Sequence, residues 1–260
     1  MDKSPFAVPV AIVVAAALIA GAIYLSGKNN AQTATTEPPK EEITFAPISE
    51  RDHIRGNPNA PIVLVEYSDY DCPFCSQFHA TMLRAMEKYG TTGQVAWVYR
   101  HFPLTQLHPN AAKIAAASEC VAEIGGNEAF WKFTDTVFNE KPIESRNGQN
   151  VIGFTDIGKL PEYAERAGAD RSRFELCSSS GKYDSSIQDA ISAAVAAGSA
   201  GTPHTLVVAG NQILTTLPGA IPFESYRGPS GETQPGLDEI LADLTKQAPG
   251  ASAPSGTPVE

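Results

Sequence analysis

Val65-Glu66-Tyr67-Ser68-Asp69-Tyr70-Asp71-Cys72-Pro73-Phe74-Cys75 joins the apolar run Ile62 to Val65 to a helical pattern and sets two cysteines at the join. A thiolate at the first turn of a helix meets unpaired backbone N–H groups and the positive end of the macrodipole, so Cys72 is expected to ionise more readily than a free cysteine. Cys75, one turn inside, is the expected resolving thiol, and such a pair can make, break or pass on disulfides. Pro73 is compatible with the first helical turn, because the N–H it lacks would be unpaired there anyway. The competing use of the pair is half of a zinc site with His79 as third ligand. Against it, the chain has no second close cysteine pair, and an apolar Phe74 between the sulfurs fits poorly with a solvated metal loop. No metal or small-molecule cofactor is expected.

Working outward, Pro61 to Tyr67 reads as a buried strand, Phe74 to Tyr89 as a helix and Gln94 to His101 as a second strand, which together make a βαβ unit. From about 109 to 200 the pattern is helical, with elements expected at 109–124, 127–139, 151–158, 161–167, 171–178 and 182–199. Thr205 to Val208 and Gln212 to Thr215 then flank Gly210-Asn211 as a hairpin, and Leu237 to Gln247 closes as an amphipathic helix. The order βαβ, helical block, ββα predicts an α/β thioredoxin-like fold with an inserted helical domain.

The chain has 260 residues, 42% of them hydrophobic, enough for one sizeable domain with appendages. Nineteen basic against 29 acidic residues give a net charge of -10, which disfavours nucleic acid and anionic lipid as non-specific partners. Ser4 to Gly27 carries no charge, and its apolar centre, Phe6 to Leu25, would span ~30 Å as a helix. Residues 1–28 are therefore expected to be an N-terminal transmembrane anchor, with a cleaved signal peptide ending near Ala31-Gln32-Thr33-Ala34 as the alternative. Either reading delivers the rest of the chain to a compartment where disulfides persist. Residues 29–47 read as a flexible linker, 48–246 as the folded domain, and 247–260, rich in Pro, Ala, Gly and Ser, as a disordered tail.

Between residues 48 and 246 the chain resembles the DsbA-like thiol:disulfide oxidoreductases of the thioredoxin superfamily. The resemblance rests on the stretch from Val65 to Cys75, on the helical insertion, and on Gly201-Thr202-Pro203 just before a strand. It implies that Cys72 is the nucleophile and the more exposed sulfur, and that Pro203 is a cis proline facing it, with the Thr202 backbone offered to an extended substrate segment. The alternative for Pro203 is an ordinary trans proline entering an edge strand. Phe74 holds the tuning position where the best known oxidases of the family carry a histidine. Lacking that donor, the Cys72 thiolate is expected to be less stabilised and the disulfide less oxidising than in those relatives. The resemblance also puts a buried acid, Glu66, under the disulfide, where a raised pKa would let it relay the proton of Cys75. A carboxylate paired with a nearby Lys or Arg is the other reading. Asp69 and Asp71 are expected to be solvated at the mouth of the site.

Cys120 and Cys177 fall on separate predicted helices of the insertion. In an oxidising compartment they are expected to form a structural disulfide, worth roughly 4 kcal/mol on the chain-entropy model. A second redox relay is the alternative, but it lacks the C-x-x-C spacing. His79, His101, His108 and His204 form no spaced metal motif; His204 is close enough to Pro203 to flank a substrate site. Phe130, Trp131, Phe133 and Phe138 recur near helical spacing and read as core.

The apolar N-terminal segment and the resemblance together predict a membrane-anchored enzyme, single-pass, with its catalytic domain on the extracytoplasmic side of a bacterial envelope. It would donate disulfides to cysteine-containing exported proteins and be reoxidised by a membrane partner of the DsbB or vitamin K epoxide reductase type. A reductase or isomerase competes with this, since Thr202 before Pro203 also occurs in disulfide isomerases. A non-catalytic thioredoxin-fold chaperone competes too, opposed by the intact Cys72/Cys75 pair.

Overall fold

The structure, a computed structural model, describes residues 43–210 and 212–247. The expected membrane anchor, most of the linker and nearly all of the C-terminal tail lie outside the described residues.

The frame is a five-stranded sheet in the order β1-β3-β2-β6-β7. Its strands are β1 (His53–Gly56), β2 (Ile62–Ser68), β3 (Val95–His101), β6 (His204–Ala209) and β7 (Gln212–Pro218). β2 lies in the middle, parallel to β3 and antiparallel to β6, with all seven residues buried. That burial explains its near-continuous apolar run. Side-chain alternation divides the run between two cores. Ile62 and Leu64 face a layer containing Phe78 and Met82, whereas Val63, Val65 and Tyr67 pack with Ala194 and Ala197. Glu66 shares the parity of Ile62 and Leu64, so the strand itself aims a carboxyl at the first layer.

Helix α1 (Pro73–Ala85) leaves β2 through the Ser68–Cys72 loop and buries Cys75, Phe78, His79, Met82 and Ala85 against the sheet; a π-type turn, Met86–Gly90, ends it. The insertion begins with α2 (Ala111–Asn139), broken at Gly126, whose φ of 73° no L-residue adopts easily. The break falls where the sequence predicts two helices. α3 (Leu160–Arg166), α4 (Arg171–Ser179) and α5 (Asp184–Ala196) follow, and α6 (Leu237–Gln247) closes the chain, all close to their predicted bounds. An inserted helical domain on a thioredoxin-like sheet is thus what the chain forms.

One predicted helix, 151–158, does not form. Residues there enter a hairpin of β4 (Ile143–Arg146) and β5 (Gln149–Ile152), followed by a 3-10 turn at Ile157–Lys159. Asn147 and Gly148 both take positive φ, 52° and 76°, the conformation of a two-residue hairpin turn. Two short antiparallel strands, β8 (Tyr226–Arg227) and β9 (Thr233–Gln234), precede α6 and have no counterpart in the periodicity. At the other end, residues 43–47, read as linker, are tied down: Thr44 N–H donates to Ala196 O at 3.1 Å, and Phe45 packs against the second core.

Cys120 of α2 and Cys177 of α4 are joined by a disulfide across 57 residues, with Cα atoms 5.8 Å apart. It lies within the insertion and staples two helices, as the structural reading expects. Replacing both cysteines with alanine should lower the unfolding free energy by roughly 2–4 kcal/mol in urea titrations, with thiol exchange at Cys72/Cys75 unchanged. Loss of exchange activity from a folded double variant would revive the relay reading.

Candidate active site

Cys72 is the residue that caps α1. Its backbone is extended (φ -72°, ψ 124°), its side chain makes no cap, and Pro73 follows at the first turn. The sulfur therefore sits beside the free N–H groups of that turn, and the backbones of Cys75 and Phe74 favour its charged form. Cys72 and Cys75 are both free thiols, with residues exposed to 4% and 0%. The Cys72 thiol donates to the Thr202 carbonyl at 3.4 Å, while Asp69 N–H donates to Cys75 Sγ at 3.4 Å. The Thr202–Pro203 peptide is cis, so the Pro203 reading of the sequence stands. Thr202 Oγ1 is buried without a hydrogen-bond partner.

These contacts separate the two sulfurs chemically. A hydrogen bond from Cys75, outweighing burial and joined by Thr202 and the helix N–H groups, draws the Cys72 pKa from 9.0 down to about 6. Burial first, then the neighbouring Cys72 and Glu66, pushes the Cys75 thiol well up. Glu66 lies beneath them, 1% exposed, and no lysine or arginine among the described residues pairs with it. Burial raises its pKa to about 7, moderated by the nearby Ser68 and Trp97. The moderation is weak, because Glu66 Oε2, Ser68 Oγ and Trp97 Nε1 all end without a hydrogen-bond partner. The paired-carboxylate reading of Glu66 is not realised; the buried acid is.

Asp69 and Asp71 correct the sequence reading. Each is 1% exposed rather than solvated. Asp69 Oδ1 accepts from Asp71 N–H at 2.7 Å, and its Oδ2 accepts from Leu104 N–H at 2.7 Å and His108 Nδ1 at 2.8 Å. Asp71 Oδ1 accepts from Thr155 N–H and Lys141 Nζ, both at 2.8 Å, and Lys141 also donates to Thr155 Oγ1. The loop needed internal acceptors for backbone that the insertion covers, and the two carboxylates supply them. Each is balanced by a cation that sequence reasoning missed. Lys141 is one; the hydrogen bond to Asp69 raises the His108 pKa and favours its charged form as the other. Neither residue stands in a motif, so neither left a local signal.

Phe74 stands 58% exposed between the cysteines. His79 Nε2 donates to Asp135 Oδ1 at 2.9 Å, a carboxylate that Arg55 pairs with, so it is not a third zinc ligand beside the thiols. The structure thus gathers Cys72, Pro73, Phe74, Cys75, Glu66, Thr202 and Pro203 into one site and leaves Cys120 and Cys177 in the insertion. His204, buried, lines a cavity of about 280 Å³ with Gly201, Thr202, Pro203 and Gly219.

Thiolate absorbance of the reduced chain should titrate with a midpoint of about 6 and vanish from that range in Cys72→Ser. The folded value lies below the ordinary 9.0, so the thiolate's contribution to stability of the reduced form is full above about pH 9 and is lost as pH falls through about 6. A single midpoint near 9 would contradict the geometry.

Comparison with known proteins agrees with this fold. The family model described as Thioredoxin matches residues 49–219. Among solved structures, alpha-DsbA1 from Wolbachia pipientis is 24% identical with a TM-score of 0.57, covering 78% of this chain and 94% of its own. BdbD from Bacillus subtilis is 16% identical with a TM-score of 0.59, covering 79% and 99%. DsbA2 from Pseudomonas aeruginosa is 23% identical at 0.53, covering 79% and 97%. Among curated proteins, the Na(+)/H(+) antiporter NhaA 1 of Mycolicibacterium gilvum is 37% identical over 126 residues, 48% of this chain but 18% of the antiporter. The NhaA of Herminiimonas arsenicoxydans is 31% identical over 164 residues, 63% of this chain and 23% of the antiporter. The chain spans less than a quarter of the length of these relatives, so ion transport does not carry over. With a family model across most of its length and the fold of DsbA-type structures built around a Cys72-Pro73-Phe74-Cys75 helix start, the chain belongs to the thioredoxin family.

Proposed function

We propose that this chain is an extracytoplasmic protein thiol:disulfide oxidoreductase that donates the Cys72–Cys75 disulfide to exported proteins. The observation that carries the reading is the opposed environment of the two sulfurs over an unpaired, buried Glu66. In the donating direction a substrate thiolate attacks Cys72 Sγ, the Cys72–Cys75 bond breaks, and Cys75 leaves as a thiolate. Glu66, protonated below about pH 7, gives that thiolate its proton. A second substrate thiolate then attacks the substrate sulfur of the mixed disulfide and releases Cys72 as the stabilised thiolate. The substrate is oxidised by two electrons and the enzyme is reduced by two.

Substrates are unfolded or newly translocated chains. Phe74, Leu107 and Ile143 are exposed apolar side chains at or near the loop that carries the site, suited to extended apolar segments. The Thr202 carbonyl and the cavity beside Pro203 offer backbone contacts to such a segment. Turnover requires a reoxidant, for which a quinone-linked membrane partner of the DsbB or vitamin K epoxide reductase type is the fitting class. The N-terminal apolar segment would hold the domain near that partner.

The oxidised chain mixed with a reduced, unfolded protein should transfer one disulfide per enzyme; Cys72→Ser should transfer none, and Cys75→Ser should trap a mixed disulfide. Reduction of substrate disulfides with no transfer in the oxidising direction would move the reading to a reductase or isomerase, and full function in Cys72→Ser would move it to a chaperone. Glu66→Gln should slow transfer by roughly 10²-fold, the low end for general acid catalysis. It should also erase the fall in rate that wild type shows above about pH 7. Phe74→His should lower the Cys72 midpoint and raise the reduction potential of the pair, and no change in either would remove Phe74 as a tuning residue.

A further inference from the structure

Away from the dithiol, three side chains from three elements converge beside a second cavity. His53 of β1 donates through Nε2 to Glu119 Oε1 at 2.9 Å, and His101 at the end of β3 donates through Nε2 to the same oxygen at 2.7 Å. One donor atom from each residue lies within 4.8 Å of the other two. The cavity they line measures about 410 Å³ and is bounded also by Asp52, Tyr67, Arg100, Tyr183 and Ser186. We propose that His53, His101 and Glu119 bind a divalent transition metal of the Zn2+ class, with a fourth position facing this cavity.

The ligand chemistry is specific. Two imidazoles and one carboxylate suit zinc and its borderline neighbours, whereas calcium and magnesium take oxygen sets. A tetrahedral ion with bonds of about 2.0–2.2 Å separates its ligand atoms by ~3.3–3.5 Å. The two histidine nitrogens, now 2.9 and 2.7 Å from the carboxylate oxygen, would need to open by only part of an ångström. The rings are already placed: His53 stacks on Phe130 with centroids 3.5 Å apart and planes 10° from parallel, and His101 stands edge-on to Tyr99 at 5.5 Å.

Charge points the same way. Both imidazoles aim their hydrogen bonds at one oxygen of the Glu119 carboxylate. Among the described residues no lysine or arginine pairs with this anion; Arg100, on the same cavity, is engaged by Asp52 at 2.8 Å. A carboxylate only 22% exposed and hydrogen-bonded by imidazoles alone is an anion in want of a cation. His101 Nδ1 has no acceptor, so this ligand lacks the outer partner worth about 10–100-fold in affinity elsewhere, and binding should be weaker by that order than in a fully supported site. A bound ion would tie β1, β3 and α2 together without touching the thiols.

Equilibrium dialysis of the full chain against Zn2+, with both cysteine pairs oxidised so that no thiolate competes, tests this. One zinc per chain is expected, with Co2+ at the same site giving a tetrahedral visible spectrum free of thiolate charge transfer. Glu119→Gln and His53→Gln, which keep size and polarity, should each weaken binding about 100-fold, taking loss of a direct ligand to cost at least as much as loss of an outer one. Glu128→Gln, an exposed carboxylate on the same helix, should bind as wild type. No retention of zinc by the oxidised wild-type chain overturns the proposal whatever the variants do. Equal retention by folded Glu119→Gln and His53→Gln overturns it as well.

Discussion

Two sulfurs one helical turn apart live in different solvents, and the rest of the site is arranged around that difference. Cys72 ends the extended loop and meets the N–H groups of the first turn of α1 at the edge of the core, whereas Cys75 is fully enclosed with Phe78 and Met82. The same helix therefore stabilises charge on one sulfur and forbids it on the other. An exchange reaction needs this asymmetry, because it fixes which sulfur is attacked and which one must be given a proton. Glu66 faces the layer that holds the buried sulfur because the alternation of β2 aims it there, so a strand register, not a loop, sets where this carboxyl lies.

The asymmetry survives only if the loop between β2 and α1 holds still, and its two aspartates do that. Asp69 ties the loop to the segment after β3 through Leu104 and His108, and Asp71 ties it to the insertion through Thr155 and Lys141. A buried ion pair such as Asp71–Lys141 adds little net stability, since desolvation offsets the attraction, but removing one partner leaves an uncompensated charge and costs about 3–5 kcal/mol. The pair ties the loop before Cys72 to the insertion through Lys141 and Thr155. Tyr70 Oη and Thr134 Oγ1, 2.8 Å apart, and the Ser76 hydroxyl donating to Phe138 O complete that seam. The inserted helices are thus part of the active site's wall, although the thiols themselves come from the sheet layer.

Much of this was legible from the chain alone, for local reasons. Cys72, Pro73 and Cys75 carry their meaning in spacing, and β2 announces itself as an apolar run because it is buried on both faces. Pro203 was legible through the family resemblance, its place before a strand alone fitting a trans proline equally. The hairpin of β4 and β5 was missed although Asn147-Gly148 is a strong turn signal, because Val151 and Ile152 also fit a helical period when read without it. β1 was missed because His53–Gly56 is short and lies at the sheet edge, with little apolar pattern to show. Asp69 and Asp71 were misread as solvated since polar residues in loops usually are. Their burial depends on His108 and Lys141, and only the folded chain brings those partners together. The meeting of His53, His101 and Glu119 is equally non-local: a register between β1 and β3 and a helix crossing have to be known first.

The central claim is that this environment stabilises the reduced pair enough to make its disulfide a donor. The reduction potential of Cys72/Cys75 in the full chain, obtained by equilibration in glutathione buffers, tests it most directly. The account predicts a value more oxidising than the glutathione couple, in keeping with a Cys72 thiolate that forms at about pH 6. A value well below that couple would contradict it and make the pair an electron donor to disulfides instead.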